Sequence, residues 1–103
     1  MNWSQKQITK WAEEKFGFNG PLPIAIRGNK EMSELLSSLQ NIHTKGETRH
    51  SAMECADVLI FLFQVTERLG YDLLQLVDEK MEINTKRQWE IGKDGSHQHV
   101  EGT

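Results

Sequence analysis

Apolar residues recur at helical spacing along four stretches of the chain, and turn signals separate these stretches. The first stretch opens with Ser4-Gln-Lys-Gln7, which resembles a capping box, and continues with Ile8 and Trp11 on one helical face. Gly17 follows as a stop signal. The pattern predicts a first helix over about 4–16.

The second stretch has an ambiguous start. Pro23 suits the first turn of a helix whose apolar positions continue from Met32 to Ile42. Gly28-Asn29 is a weak point inside that pattern, so the helix begins either near Pro23 or only at this dipeptide. Residues 43–49 are then predicted to form a polar connection.

The third stretch is the most apolar and predicts a helix from about Ser51 to Leu69. Its run Val58 to Phe63 (VLIFLF) is far shorter than the roughly 20 apolar residues that span a bilayer. We therefore expect no membrane partner. A helix that is apolar all round needs cover on every side, and a chain of this size offers little. We infer an all-α, four-helix bundle subunit that oligomerises through this helix as a homodimer or a dimer of dimers.

The fourth stretch predicts a helix that is capped by Asp72 and ends near Trp89. No convincing strand is visible anywhere. Residues 92–103 (GKDGSHQHVEGT) lack periodicity, so we expect a domain over 1–91 and a mobile tail over 92–103. His97 and His99 in that tail are not expected to form a physiological metal site.

Composition excludes several classes of function. The chain has 103 residues and a net charge of −3 with both signs interspersed, which argues against a nucleic-acid partner. The single cysteine, Cys55, excludes an internal disulfide and is expected to be a small buried hydrophobe. No signal peptide precedes Trp3, so we expect a protein of the reducing cytoplasm.

Two acidic pairs carry the candidate chemistry. Glu31-x-x-Glu34 and Glu54-x-x-Asp57 each place two carboxylates on one helical face. Four convergent carboxylates would suit Mg²⁺ or Mn²⁺ and hence phosphate chemistry. Acidic residues at this spacing are also common on solvated faces, and Ser51-Ala-Met-Glu54 reads as a capping box. Their location inside apolar helices favours the metal interpretation, because unpaired buried charge is costly.

The fourth helix carries a polar stripe that we call the basic stripe: Lys80, Asn84 and Arg87. Their spacing places two cations and an amide on one face, where they can hold phosphate. Taken alone, the stripe fits equally an ordinary solvated face with cations near a helix C-terminus.

The order of these motifs resembles the MazG-like, all-α nucleoside triphosphate pyrophosphohydrolases. The resemblance covers Trp3 to Trp89 and is strongest in Glu54-Cys-Ala-Asp57-Val-Leu-Ile, followed by Leu69-Gly70 and Glu79-Lys80. It implies a dimerising helical chain that binds Mg²⁺ and cleaves a nucleoside triphosphate to the monophosphate and pyrophosphate. The metal ligands that it implies are Glu31, Glu34, Glu54 and Asp57. The phosphate-side candidates that it implies are Lys80, Asn84 and Arg87, with Lys30 as a weaker one.

The same resemblance suggests further roles. Glu34 is the candidate that orients or deprotonates the attacking water. Trp11, Phe16 and Trp89 could stack on a base, although aromatics at helical spacing more often lie in a core. The segments Trp11-Ala-x-x-x-Phe16-Gly17 and Arg87-x-Trp89 are similar to a phage and bacterial branch associated with dATP and dGTP. Pyrimidine substrates such as dCTP or dUTP are the alternative.

Two rivals belong to other classes. A ferritin-like di-iron bundle would also use helix-borne carboxylates, but it needs two acidic-histidine motifs and the chain offers one, Glu47-x-x-His50. The other rival is a non-catalytic helical interaction module, whose apolar third helix binds a partner protein. Stabilisation by Mg²⁺ would separate that module from the enzyme, because a metal that binds only the folded chain raises its stability.

Overall fold

The computed structural model describes residues 2–92 and 94–103, which form four α helices and a short β hairpin. The elements are α1 (Gln5–Phe16), α2 (Pro21–Gln40), α3 (Lys45–Leu69), α4 (Leu73–Lys86), β1 (Trp89–Ile91) and β2 (His97–His99). The chain divides into two compact units, one ending at Leu73 and one running from Leu74 to Thr103. The predicted all-α class is confirmed. None of the described helices is long and apolar enough to span a membrane.

The start of α1 confirms the predicted capping box. The Ser4 hydroxyl accepts the Gln7 backbone N–H at 3.1 Å, and the Gln7 side-chain oxygen accepts the Ser4 backbone N–H at 2.8 Å. Two otherwise unpaired donors are thereby satisfied. The helix stops at Gly17, whose φ of 80° lies in the region that favours glycine.

Helix α2 is continuous from Pro21 to Gln40, so Gly28-Asn29 does not interrupt it. The absence of a side chain at Gly28 lets α3 approach, since a Cβ there would lie 3.1 Å from the Cβ of Phe61. This contact gives a packing reason for a glycine inside a helix. The helix ends before Ile42, so its predicted C-terminal end was wrong.

Helix α3 begins at Lys45, so the predicted start at Ser51 was wrong. The N-cap is Thr44, whose hydroxyl accepts the Glu47 backbone N–H at 3.2 Å. Ser51 lies inside the helix, is only 3% exposed, and shares a 2.9 Å hydrogen bond with the Ser38 hydroxyl of α2. The capping-box explanation for Glu54 is therefore removed, and the polar connection is shorter than predicted.

The core of the first unit joins α1, α2 and α3. Its buried hydrophobic residues are Ile8, Ala12, Ile24, Leu35 and Phe63. The buried Gln5 side chain fastens α1 to the end of α3, because its amide donates to Glu67 (2.9 Å) and to the Tyr71 carbonyl (2.7 Å). Helices α2 and α3 pack against each other, and they are the two helices that carry the acidic pairs.

The second unit contains regular structure that the sequence pattern did not indicate. Strands β1 and β2 pair antiparallel, with Trp89 opposite His99 and Ile91 opposite His97. The expectation of no strand was wrong, and so was the extension of α4 to Trp89, because that helix ends at Lys86. The predicted domain boundary between residues 91 and 92 lies between the two strands. That residues 92–103 form a mobile tail outside the domain stays a prediction.

Candidate metal centre

Three carboxylates from α2 and α3 meet between the two helices, and we call them the carboxylate cluster: Glu31, Glu54 and Asp57. One oxygen from each lies within 4.8 Å of the others. Glu31 and Glu54 are half-buried, whereas Asp57 is exposed. A divalent cation that binds oxygens at about 2.0–2.6 Å can bridge oxygens at such separations. The cluster therefore has the donor atoms and the spacing for a hard cation.

Glu34 lies beside this cluster rather than inside it. Its carboxyl group is close enough to that of Glu31 to raise the pKa of Glu31. Partial burial, then the charge and hydrogen bond of Glu34, then the charges of Asp57 and Glu54, raise the pKa of Glu31 above its ordinary value of 4.5. The carboxylates thus repel one another in the absence of a counter-charge, and a cation would relieve that repulsion.

Glu54 has one oxygen that no donor of the described residues reaches. Its Oε1 lies 3.2 Å from His50 Nε2, but its Oε2 is buried with no hydrogen-bond partner among the described residues. A buried carboxylate oxygen without a donor is costly. An oxygen-preferring cation at the cluster would satisfy it, so the residues present fit Mg²⁺ or Mn²⁺.

An open cavity of about 570 Å³ lies between α2 and the start of α3, next to the cluster, and its lining residues are polar or charged. Its size lies in the range of small-ligand sites. Lys30 and Glu34 line the cavity, and so connect it to the carboxylates. The other lining residues are Ser33, Ser37, Ser38, Asn41, Glu47 and His50.

The basic stripe lies in the second unit. Lys80 is exposed, and Asn84 and Arg87 are half-buried. Arg87 donates to the Asn84 side-chain oxygen at 3.4 Å and to the Thr103 carbonyl at 3.2 Å. The Trp89 indole donates to the Asn84 carbonyl at 3.0 Å. The stripe is therefore held by contacts within its own unit, and its role toward phosphate stays a prediction.

The aromatic residues and the cysteine differ from expectation. Trp11, Phe16 and Trp89 are 42%, 63% and 42% exposed, so the expectation that each lies in the core was wrong. Trp11 stands edge-on to Phe16 at 5.7 Å and lines an apolar cavity of about 550 Å³. Cys55 is exposed rather than buried. These side chains are open to a ligand or to another protein surface.

Sequence reasoning missed the contact between His50 and Glu54. It considered His50 only as half of a ferritin-like motif, at a supposed junction between loop and helix. Both residues lie well inside α3, where a spacing of four residues brings side chains together. That spacing, with the helix start placed correctly, is the signal that would have found the pair.

Comparison with known proteins gives matches in phages. No protein-family model matches the chain. The chain is 33% identical over 96 residues to a dATP/dGTP diphosphohydrolase of Salmonella phage PMBT28, covering 93% of this chain and 30% of that protein. It is 30% identical over 99 residues to a dATP/dGTP diphosphohydrolase of Cyanophage S-2L, covering 96% of this chain and 87% of that one.

A solved structure supports the same relationship. It is the Cyanophage S-2L MazG-like pyrophosphohydrolase bound to dGDP and three catalytic Mn²⁺ ions per active site. The TM-score is 0.73 at 26% sequence identity, and the match covers 95% of this chain and 89% of that chain.

Proposed function

Because this chain belongs to the MazG-like pyrophosphohydrolases, we propose that it hydrolyses purine deoxynucleoside triphosphates, dGTP and dATP, to the monophosphate and pyrophosphate. The observation that carries the proposal is the carboxylate cluster with its buried, unpartnered Glu54 oxygen. The substrate follows from the two phage relatives, which are dATP/dGTP diphosphohydrolases. The chain spans about 30% of the length of the first relative and 87% of the second. We further propose that it acts in the cytoplasm of a bacterial or phage-infected cell.

The metal ligands that we propose are Glu31, Glu34, Glu54 and Asp57, with Mg²⁺ as the physiological ion and Mn²⁺ as a substitute. When bound, such cations neutralise polyphosphate charge and lower the pKa of a coordinated water. Glu34 is suited to orient or deprotonate the attacking water, because it lies beside the cluster and lines the adjoining cavity.

The phosphate-binding groups that we propose are Lys30, Lys80, Asn84 and Arg87. Lys30 lines the cavity next to Glu34 and adds a positive charge near the acidic groups. Arg87 and Asn84 are already joined by a hydrogen bond, which orients the guanidinium fork before substrate arrives. Phosphate binding then requires little further ordering of that side chain.

Base stacking is assigned to Trp11, whose ring is partly exposed beside an apolar cavity. A purine offers a larger stacking face than a pyrimidine, which favours dGTP and dATP over dCTP and dUTP. The partner that we propose is a second copy of the chain, in a homodimer or a dimer of dimers.

The decisive experiment is a panel of ribo- and deoxyribonucleoside triphosphates incubated with the full chain and Mg²⁺ or Mn²⁺. Anion-exchange chromatography separates monophosphate from diphosphate, and a coupled assay detects pyrophosphate. We expect dGMP or dAMP plus pyrophosphate, with no turnover in EDTA and none by Asp57→Asn.

Other products would contradict the proposal in different ways. Release of inorganic phosphate and a diphosphate would overturn the cleavage position. Preferential turnover of dCTP or dUTP would overturn the purine assignment alone. Stabilisation by Mn²⁺ without turnover of any nucleotide would overturn the enzymatic proposal and favour a binding module.

A further inference from the structure

The two oxygens of the Glu54 carboxylate have different surroundings. His50 Nε2 lies 3.2 Å from Oε1, whereas Oε2 is buried without a partner among the described residues. The His50 side chain is 67% exposed and that of Glu54 is 14% exposed. The imidazole therefore reaches inward from the rim of the cavity to the buried carboxylate.

We propose that His50 is a positioning residue of the metal centre, an inference that rests on the proposed function. His50 Nε2, 3.2 Å from Oε1, is close enough to donate to that oxygen after a small rotation of the ring. Such a bond would limit rotation of the Glu54 carboxylate and leave Oε2 for the cation. Groups that hydrogen-bond to a metal ligand orient it, and their loss typically weakens metal binding by about 10–100-fold. His50 thus lowers the entropic cost of ordering Glu54 when a cation binds.

The geometry favours a donor role over direct ligation. The oxygens that approach within 4.8 Å of one another come from Glu31, Glu54 and Asp57, and His50 is outside that group. Mg²⁺ and Mn²⁺ prefer oxygen to imidazole nitrogen. A neutral imidazole with its proton on Nε2 and an imidazolium both donate from that atom, so the role does not depend on the protonation state.

The test measures metal binding directly. Isothermal titration of the full chain with MnCl₂ gives the affinity, and thermal unfolding in EDTA gives the stability without metal. His50→Leu removes the donor, whereas His50→Gln retains an N–H donor on a side chain of similar reach. His43→Leu is the matched control, because it removes an exposed histidine that precedes α3. We expect about tenfold weaker Mn²⁺ binding by His50→Leu, near the lower end of the range because His50 is largely exposed.

We also expect His50→Gln to recover most of that loss, and His43→Leu to bind as the wild type does. His50→Leu also leaves Glu54 Oε1 without its neighbour, so we expect its metal-free stability to fall slightly, whereas His50→Gln and His43→Leu should match the wild type. The affinities are therefore compared at a temperature at which all four proteins are folded. Equal Mn²⁺ affinity in the wild type and His50→Leu would overturn the positioning role while the proposed function stands. A loss in His50→Gln as large as in His50→Leu would overturn the donor role. Absence of Mn²⁺ binding by the wild type would overturn the metal site and the proposed function with it.

Discussion

Glu54 and Asp57 lie on the same helical face, but their carboxylates have different environments. Glu54 is largely buried and has one unpartnered oxygen, whereas Asp57 is exposed at the mouth of the cluster. Glu34 differs again, since its charge raises the pKa of Glu31 but its oxygens do not join the cluster. Equivalent charge removals at these positions should therefore have different consequences.

Asp57→Asn and Glu34→Gln should separate metal binding from the chemical step. Asp57→Asn removes a ligand charge without changing volume, so we expect loss of the Mn²⁺-induced rise in melting temperature together with loss of activity. Glu34→Gln leaves the three carboxylates of the cluster in place, so it should retain much of the thermal shift. It should lose at least about 3 kcal/mol of transition-state stabilisation, on the order of a hundredfold in kcat/KM. Thermal unfolding and steady-state kinetics of both variants check this. Normal turnover by either variant at saturating metal would contradict the four-carboxylate proposal.

The raised pKa of Glu31 predicts a pH dependence in metal-free protein. A carboxyl whose folded pKa lies above 4.5 binds its proton more tightly in the folded state, so its contribution to the free energy of unfolding falls as pH rises through that window. Thermal unfolding in EDTA should therefore show Glu31→Gln gaining stability relative to wild type as the pH rises above the ordinary carboxyl value of 4.5. With saturating Mn²⁺ the trend should reverse, because the cation binds the ionised form. A pH-independent difference in EDTA would contradict the proposed repulsion.

Arg87→Lys tests the basic stripe with charge retained. An ammonium cannot reproduce the bidentate fork, so loss of one charge-assisted contact to phosphate should cost about 1.5–3 kcal/mol, or roughly ten- to a hundredfold in kcat/KM. The side chain also donates to Asn84 and Thr103, so we expect stability to fall by up to about 1 kcal/mol. Chemical denaturation and nucleotide kinetics give the two quantities. A drop in stability with unchanged kinetics per folded molecule would make Arg87 a structural residue only.

The sequence predicts which acidic residues share a helical face, but it does not predict which of them meet in the carboxylate cluster. Residues three apart share a helical face, which correctly paired Glu54 with Asp57. Which of Glu31 and Glu34 meets them depends on how α2 is rotated about its axis. The contact between Gly28 and Phe61 bears on that rotation, and no local pattern in α2 reveals it.

Helix ends were predicted well where a cap dominates and poorly where two caps compete. Ser4 and Gln7 form the only strong start signal near α1, and the structure uses it. Before α3, Thr44-Lys-Gly-Glu47 and Ser51-Ala-Met-Glu54 both resemble capping boxes, and tertiary contacts decided for the first. Burial of Ser51 against Ser38 favours continuing the helix through the second.

The hairpin was missed for a different reason. Each strand has three residues, too few for an alternating pattern, and its stability comes from contacts across the pair. Trp89 lies edge-on to His97 at 5.5 Å and to His99 at 6.0 Å. Asp94-Gly95 was the available turn signal, and it was treated as part of a tail.

Gly28→Ala should disturb the metal centre more than the fold. Alanine gains up to about 1 kcal/mol of helix propensity, but its Cβ would press on Phe61 at 3.1 Å and push α3 away near the carboxylate cluster. We expect a stability change within about 1 kcal/mol of zero and clearly weaker Mn²⁺ binding. The matched control is Gly46→Ala, where the new Cβ meets only the Thr44 hydroxyl at 3.7 Å. Calorimetric titration with Mn²⁺ should show normal affinity for the control, and equal affinities in both variants would contradict this explanation.

Many large hydrophobic side chains of the described residues are exposed. Five hydrophobic side chains are buried in the described residues. Leu59 and Leu62 of α3 remain 40% and 48% exposed. Leu59 lines an apolar cavity together with Trp11 of α1, which is also exposed. The sequence predicted an uncovered third helix, and the exposures agree with that reasoning. Oligomerisation itself stays a prediction.

Substitutions on α3 should separate assembly from folding, provided that the right face is changed. Phe63 is 2% exposed inside the single chain and Phe61 packs on Gly28, so a glutamate at either position tests folding rather than assembly. Leu62→Glu is the better probe, because its side chain is 48% exposed and a charge there costs little in a monomer but several kcal/mol when buried against another chain. Thr48→Glu places the same charge on the exposed first turns of α3 as a control.

Light scattering after gel filtration at micromolar concentration measures the outcome. We expect a dimer or tetramer for the wild type and Thr48→Glu, and a monomer with unchanged helical circular dichroism for Leu62→Glu. Phe63→Glu should lose helical signal, since a buried charge without a partner costs more than most small domains can lose. A monomeric wild type would mean that α3 is covered by something other than a second copy, and the proposed assembly would be wrong.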